Sequence, residues 1–129
     1  MMATFRSIEE IDAWQKAREL AKAIYAVTRK GTFSKDFGLR DQIQRASVSV
    51  MSNVAEGYER DGTKEFIQFL SIAKGSAGEV KSHLYVARDQ GYLNKDEFVA
   101  LAELTDETRR LIAGFISYLK QSSIKGAKF

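Results

Sequence analysis

At 129 residues, with 44% hydrophobic and 29% charged side chains, the chain has the length and balance of one globular domain rather than a disordered or fibrous segment. It contains no cysteine, which excludes a disulfide framework and a thiolate metal site, and no proline, which is consistent with an all-helical chain. The net charge of +3 is mild but uneven: Lys16 to Arg45 carries eight Lys/Arg against three acids, and Arg109 to Phe129 carries five against none. Concentration of this kind is expected of a surface that meets polyanions, the alternative being charged helix faces that keep the protein soluble. No apolar run approaches the roughly 20 residues needed to span a bilayer. The opening MMATFRSIEEID lacks the charged-then-apolar layout of a secretory signal. The expectation is a cytoplasmic protein with no membrane partner.

The first predicted helix covers about residues 8–30. Ser7 to Glu10 fits a capping box, with Ser7 as N-cap and Glu10 reaching back to its amide. Ala13, Ala17, Leu20, Ile24 and Val27 then recur at helical spacing, with Trp14 and Ala21 widening the stripe. Gly31 is placed as the stop. The loop GTFSKDFG that follows is expected to tuck Phe33 or Phe37 inward.

The second helix, about 39–57, is the unusual one. In QIQRASVSVMSNVAEG only Arg45 and Glu56 are ionisable. Ile43, Ala46, Val50 and Val54 line one side, whereas Val48, Met51 and Ala55 line another. A helix apolar on two sides must be covered on two sides, which points to a partner subunit. Ser47-Val48-Ser49-Val50 alternates as a strand would, but a lone strand could not satisfy its backbone hydrogen bonds. Asn53 and Glu56, near the end of this helix, need partners if buried, and are expected to tie it to the next loop or to another subunit.

Thr63 is read as the N-cap of a third helix, about 64–90, with Phe66, Leu70, Ala73, Ala77, Val80, Leu84 and Ala87 on one stripe. Gly75 and Gly78 inside it each disfavour helix by about 1 kcal/mol relative to alanine, and the offset expected is close approach of another helix. Gly91 ends this helix. Asn94 to Glu97 is a second capping box. It opens a fourth helix, about 95–121, with Phe98, Leu101, Thr105, Thr108, Ile112, Phe115 and Leu119 facing one way. A basic, frayed tail covers 122–129. The whole, residues 1–129, reads as one all-α domain, an antiparallel up-down-up-down four-helix bundle.

Chemistry-bearing constellations are sparse. His83 is the only histidine, and Glu79 one turn before it offers at most two metal ligands where a site needs three or four. The serines between Ala46 and Asn53 have no nearby base, and their ordinary role is helix packing. Gly75 to Gly78 (GSAG) lacks the lysine and the strand-to-helix setting of a phosphate loop. The expectation is no enzyme, no cofactor and no metal.

Four segments together carry a family resemblance: AWQKARELAKAIYAVT, FGLRDQIQRASVSVMSNVAEG, KEFIQFLSIAKGSAGEV and GYL. The chain resembles the small bacterial four-helix-bundle proteins encoded in intervening sequences of large-subunit rRNA genes, which are similar in turn to the accessory variability protein of diversity-generating retroelements. It departs from the family pattern at Met51, where a mid-helix proline is usual, and at Phe33-Ser34, where F-P is common. The resemblance implies a ring-like homopentamer with basic surfaces suited to nucleic acid and no catalytic activity. Phosphate contacts with RNA favoured over DNA are the expectation, through Lys16, Arg18, Lys22, Arg40, Arg45, Arg109 and Arg110. Trp14, Val48, Met51, Asn53, Glu56, Gly75 and Gly78 are the expected interface or structural residues. The alternative is a protein–protein adaptor docking on a polymerase such as a reverse transcriptase.

Overall fold

The computed structural model describes residues 5–124, and among these the chain forms helices and no strands. The helices are α1 (Asp12–Thr28), α2 (Phe37–Tyr58), α3 (Thr63–Asp89) and α4 (Lys95–Ile124), with short 3-10 turns at Ile8–Glu10 and Gly31–Lys35. α1 packs on α2 and α4, and α3 packs on the same two neighbours, so the helices form a closed square.

Two apolar clusters establish the directions. Ile11, Ala13 and Ala17 from the start of α1 meet Val50 and Val54 near the end of α2, Phe66, Leu70, Ala73 and Ala77 from the first half of α3, and Ile112 and Leu119 from the second half of α4. The opposite halves of the same helices meet at the other end: Leu20, Ile24, Ile43, Ala46, Val80, Leu84, Ala87 and Leu101, joined by Phe33 and Leu93 from the connections. Alternating starts and ends at each pole define an antiparallel up-down-up-down bundle. Buried hydroxyls lie between the clusters. Thr105 and Thr108 donate to the carbonyls of Leu101 and Leu104, which satisfies each hydroxyl locally and leaves its methyl to pack.

The helix ends show where local signals prevailed. At α4 the capping box is reciprocal: the Asn94 amide donates to Glu97 Oε1 at 2.9 Å, and the Glu97 amide donates to Asn94 Oδ1 at 2.8 Å. At the end of α3, Gly91 takes φ +79°, and the amides of Gly91 and Tyr92 bond to the carbonyls of Arg88 and Ala87. That pairing is a Schellman closure.

At α1 the expectation fails. Ile11, only 1% exposed, is drawn into the core with an extended backbone, so the first helix is broken there and α1 proper begins at Asp12. Ser7 makes no side-chain cap, and the Glu10 carboxylate accepts the Arg6 amide at 3.1 Å instead. Glu9 is held below the ordinary carboxylate range, first by its own backbone amide and then by the Ser7 hydroxyl. Thr63 is the first helical residue of α3 rather than its cap, which is Gly62. α2 starts earlier than expected because Asp36 caps it, accepting the Leu39 amide at 3.1 Å. α4 continues to Ile124, past the expected end at 121, and the remainder of the basic tail, including Lys125 and Lys128, lies outside the described residues.

Of the two loop aromatics, Phe33 is the buried one, at 1% exposure, stacked on Tyr92 with ring centroids 5.2 Å apart; Phe37 is 63% exposed. The strand-like serine–valine run is continuous helix, as the hydrogen-bond argument required.

Glycine placement brings a correction. A Cβ added at Gly75 or Gly78 would meet nothing within 4 Å, so no helix of the same chain approaches closely there. The close approach occurs at Gly57, where a Cβ would lie 2.7 Å from Phe66 Cδ1 and 2.9 Å from Phe69 Cβ. This glycine is buried near the end of α2 and lets α2 and α3 touch.

Candidate nucleic-acid interface

The seven expected cations do not gather on one face. Arg18 and Lys22 stand one turn apart on α1; Lys22 forms no ion pair among the described residues, and Arg18 lies 6.0 Å from the ring centroid of half-buried Trp14. Lys16 is turned toward α4, with Glu19 Oε2 at 3.5 Å and Glu107 Oε2 at 3.7 Å. Arg40 is largely engaged within the fold: it donates to the Ser34 carbonyl at 3.0 Å, pairs with Asp41 at 3.4 Å and covers the Phe37 ring at 4.8 Å. Arg45 is exposed on α2. Arg110 borders a hollow of about 310 Å³ whose lining includes Phe5, Ile11 and Phe115 and the carboxylates Glu10 and Asp12. Among the described residues, Arg18, Lys22, Arg45 and Arg110 form no ion pair, whereas Lys16, Arg40 and Arg109 do.

Arg109 lies on the seam between α3 and α4. Its partner, Asp106, is 3.8 Å away and is already held by Lys81 through both carboxylate oxygens, at 3.0 and 2.9 Å. The same seam holds Lys74 and Lys120 beside Ser71, Gly75 and Ile116 around a hollow of about 370 Å³. Lys74 and Lys120 were not singled out from the sequence. Each belongs to a different helix, and only the antiparallel register of α3 on α4 brings them together.

The expected structural residues divide similarly. Trp14 and Met51 are half-buried against the apolar cluster at the start of α1, so the second apolar side of α2 is partly covered within the chain. Val48 stays 40% exposed, as do Ile72 at 52% and Val86 at 43% on α3. Asn53 does not reach the next loop; its amide donates to the Ser49 carbonyl and hydroxyl at 2.8 and 2.9 Å. Ser49 Oγ in turn meets Ser76 Oγ at 2.9 Å, which links α2 to α3. Glu56 pairs with Arg60 of the following turn at 2.8 Å on the surface. Gly75 and Gly78 are exposed.

His83 Nε2 is buried without a hydrogen-bond partner, 3.7 Å from Glu79 Oε2. Among the described residues, no group of three or more His, Cys, Asp or Glu could hold a metal ion. No described helix is long and apolar enough to cross a membrane.

These features define the class as an all-α four-helix bundle, with cations along the α3–α4 seam and exposed small residues on α3. The chain belongs to the 23S rRNA-intervening sequence protein family, whose model matches residues 9–114. Among solved structures it is similar to a protein of unknown function from the S23 ribosomal protein family of Bacteroides thetaiotaomicron VPI-5482, with a TM-score of 0.74 and 23% identity. That likeness covers 81% of this chain and 97% of the other, and at this identity it bears on the fold alone. No curated protein matches the chain. Neither match indicates an enzymatic family, and neither extends to the accessory variability protein of retroelements.

Proposed function

We propose that this chain is a non-enzymatic, self-assembling nucleic-acid-binding protein of the rRNA intervening-sequence type, which holds RNA through its phosphates. The observation that carries the reading is the set of exposed cations that form no ion pair within 4 Å among the described residues, Arg18, Lys22, Arg45 and Arg110 among them. Cations kept free on a folded surface are available to displace counterions from a polyanion, and contacts of this kind carry no base sequence. Self-assembly is supported by the outer surface of α2 and α3, where Val48, Ile72 and Val86 are exposed and Gly78 is bare. Bare helix backbone at Gly78 gives up helix propensity with no compensating contact inside the chain. A second copy of the chain would supply that contact, and five copies is the number that the family resemblance implies.

Sedimentation of the full chain tests assembly, and a single species of 14.5 kDa at micromolar concentration would refute it. Salt titration of binding to structured RNA and to duplex DNA tests the rest. The expected log–log slope is about −0.9 per duplex phosphate contacted and about −0.7 per single-strand phosphate. No binding at about 50 mM salt, where counterion release is strongest, would refute the nucleic-acid reading and favour an adaptor that docks on a polymerase.

A further inference from the structure

The seam between α3 and α4 gathers cations from two helices. Lys74, Arg109 and Lys120 line one hollow of about 370 Å³. Asp106, the carboxylate beside Arg109 at 3.8 Å, is already engaged by Lys81 in a two-oxygen contact. The seam therefore keeps its positive excess. Lys74 and Lys120 are exposed and have no ion-pair partner among the described residues. Ser71 adds a neutral donor, and the absent side chain at Gly75 deepens the hollow, because nothing of the chain occupies that space.

The cations are also arranged in a line. Arg109 and Lys120 are on one helix, about 16 Å apart along its axis at 1.5 Å per residue. Two cross-helix relations give the register: Lys81 pairs with Asp106, and Ser71 shares the hollow with Ile116. This register sets Lys74 of α3 between the two α4 cations. A single row of point charges and one guanidinium fork follows one phosphate backbone; a duplex offers two.

We propose that this seam seats the phosphates of a single nucleic-acid strand, with Lys74, Arg109 and Lys120 as its contacting cations. The assignment rests on the nucleic-acid reading above and locates it on a seam to which the sequence pointed only through Arg109.

The test uses the full chain and a fluorescently labelled single-stranded RNA, read by anisotropy across a salt series. The Lys74→Gln/Lys120→Gln variant removes two exposed side chains without ion-pair partners. It is expected to bind about 25-fold more weakly near 0.1 M salt, with a log–log slope shallower by about 1.4, the counterion-release effect of two single-strand contacts. Lys30→Gln/Lys35→Gln, which removes the same charge from the α1–α2 connection, is expected to retain binding. Circular dichroism and light scattering of both variants establish that fold and assembly are unchanged. Wild-type affinity and slope in the seam variant, with RNA still bound by the unaltered protein, would overturn the seam assignment alone. Equal losses in the two variants would reduce the effect to net charge and would also overturn it. Absence of RNA binding by the unaltered protein would overturn the nucleic-acid reading and the seam assignment together. Preferential binding of polyglutamate over RNA, lost in the seam variant, would overturn the assignment in favour of an acidic protein segment.

Discussion

One substitution made at two glycines should have opposite effects. At Gly57 an added methyl would lie 2.7 Å from Phe66 Cδ1, 2.9 Å from Phe69 Cβ and 3.2 Å from the Phe66 carbonyl oxygen, against an ordinary carbon–carbon separation of about 3.5–4.0 Å. The Phe66 ring can turn, but Phe69 Cβ and the Phe66 carbonyl are fixed by the α3 backbone. α2 and α3 must therefore separate, which loosens the packing around Val54, Phe66 and Leu70. Overpacking of this kind costs about 1–3 kcal/mol, against a helix-propensity gain of at most about 1 kcal/mol. Gly57→Ala is therefore expected to destabilise the protein, by up to about 2 kcal/mol after the full propensity gain is subtracted. At Gly75 the new methyl meets nothing within 4 Å. Gly75→Ala should stabilise the protomer by about 0.5–1 kcal/mol. Urea unfolding followed by far-ultraviolet circular dichroism measures both. With a slope of about 1–3 kcal/mol per molar urea, the two midpoints should shift measurably in opposite directions. Repeating the series at two protein concentrations separates an effect on the protomer from any effect of self-association, because only the latter depends on concentration. A Gly57→Ala midpoint at or above the wild-type value would refute the close α2–α3 approach. A Gly75→Ala midpoint lowered equally at both concentrations would refute the open space at Gly75.

The two loop phenylalanines should separate as sharply: Phe33→Ala, at a site 1% exposed, is expected to lose about 3–5 kcal/mol. Phe37→Ala, at a site 63% exposed, should cost at most about 1 kcal/mol, the size of its contact with Arg40; similar denaturant midpoints for the two variants would refute the assignment of Phe33 to the core. Tyr92 gives a pH dependence. Its hydroxyl donates to Asp36 Oδ2 at 2.8 Å, and its pKa is raised, first by that hydrogen bond, then by burial and by the Asp36 charge. Because the folded value lies above the unfolded value of about 10, the stabilisation is complete below the unfolded value and is lost as pH rises through the folded one. Tyr92→Phe should remove that part of the alkaline decline, and identical alkaline profiles of urea midpoint in the two proteins would refute the coupling.

Much of the bundle was legible because helix periodicity is local. Every apolar position read on the α3 stripe, from Phe66 to Ala87, is buried, and the Asn94 capping box and the Gly91 stop formed as their residue types dictate. These features depend on residues at most five apart, whose relation is set once the backbone is helical. The start of α1 escaped the same reasoning because Ile11 is held by the core, and burial of its side chain outweighed a capping box worth about 1 kcal/mol.

The remainder was decided by contacts distant in sequence. All glycines inside helices look alike in a sequence, and only the antiparallel register shows that Gly57 touches Phe66 while Gly75 touches nothing. The second side of α2 looked bare until the fold half-buried Met51 against the same cluster as Trp14 and left Val48 exposed. Charge was legible as an excess in two segments, but not as a site. Arg40 is taken up by Ser34, Asp41 and Phe37, whereas Lys74 joins Arg109 and Lys120, 35 or more positions further along the chain. Composition determined how many cations the protein carries, and helix pairing determined which of them share a surface. A side chain's availability depends on its neighbours in space, and those neighbours are chosen by the burial of the apolar stripes on the opposite faces of the same helices.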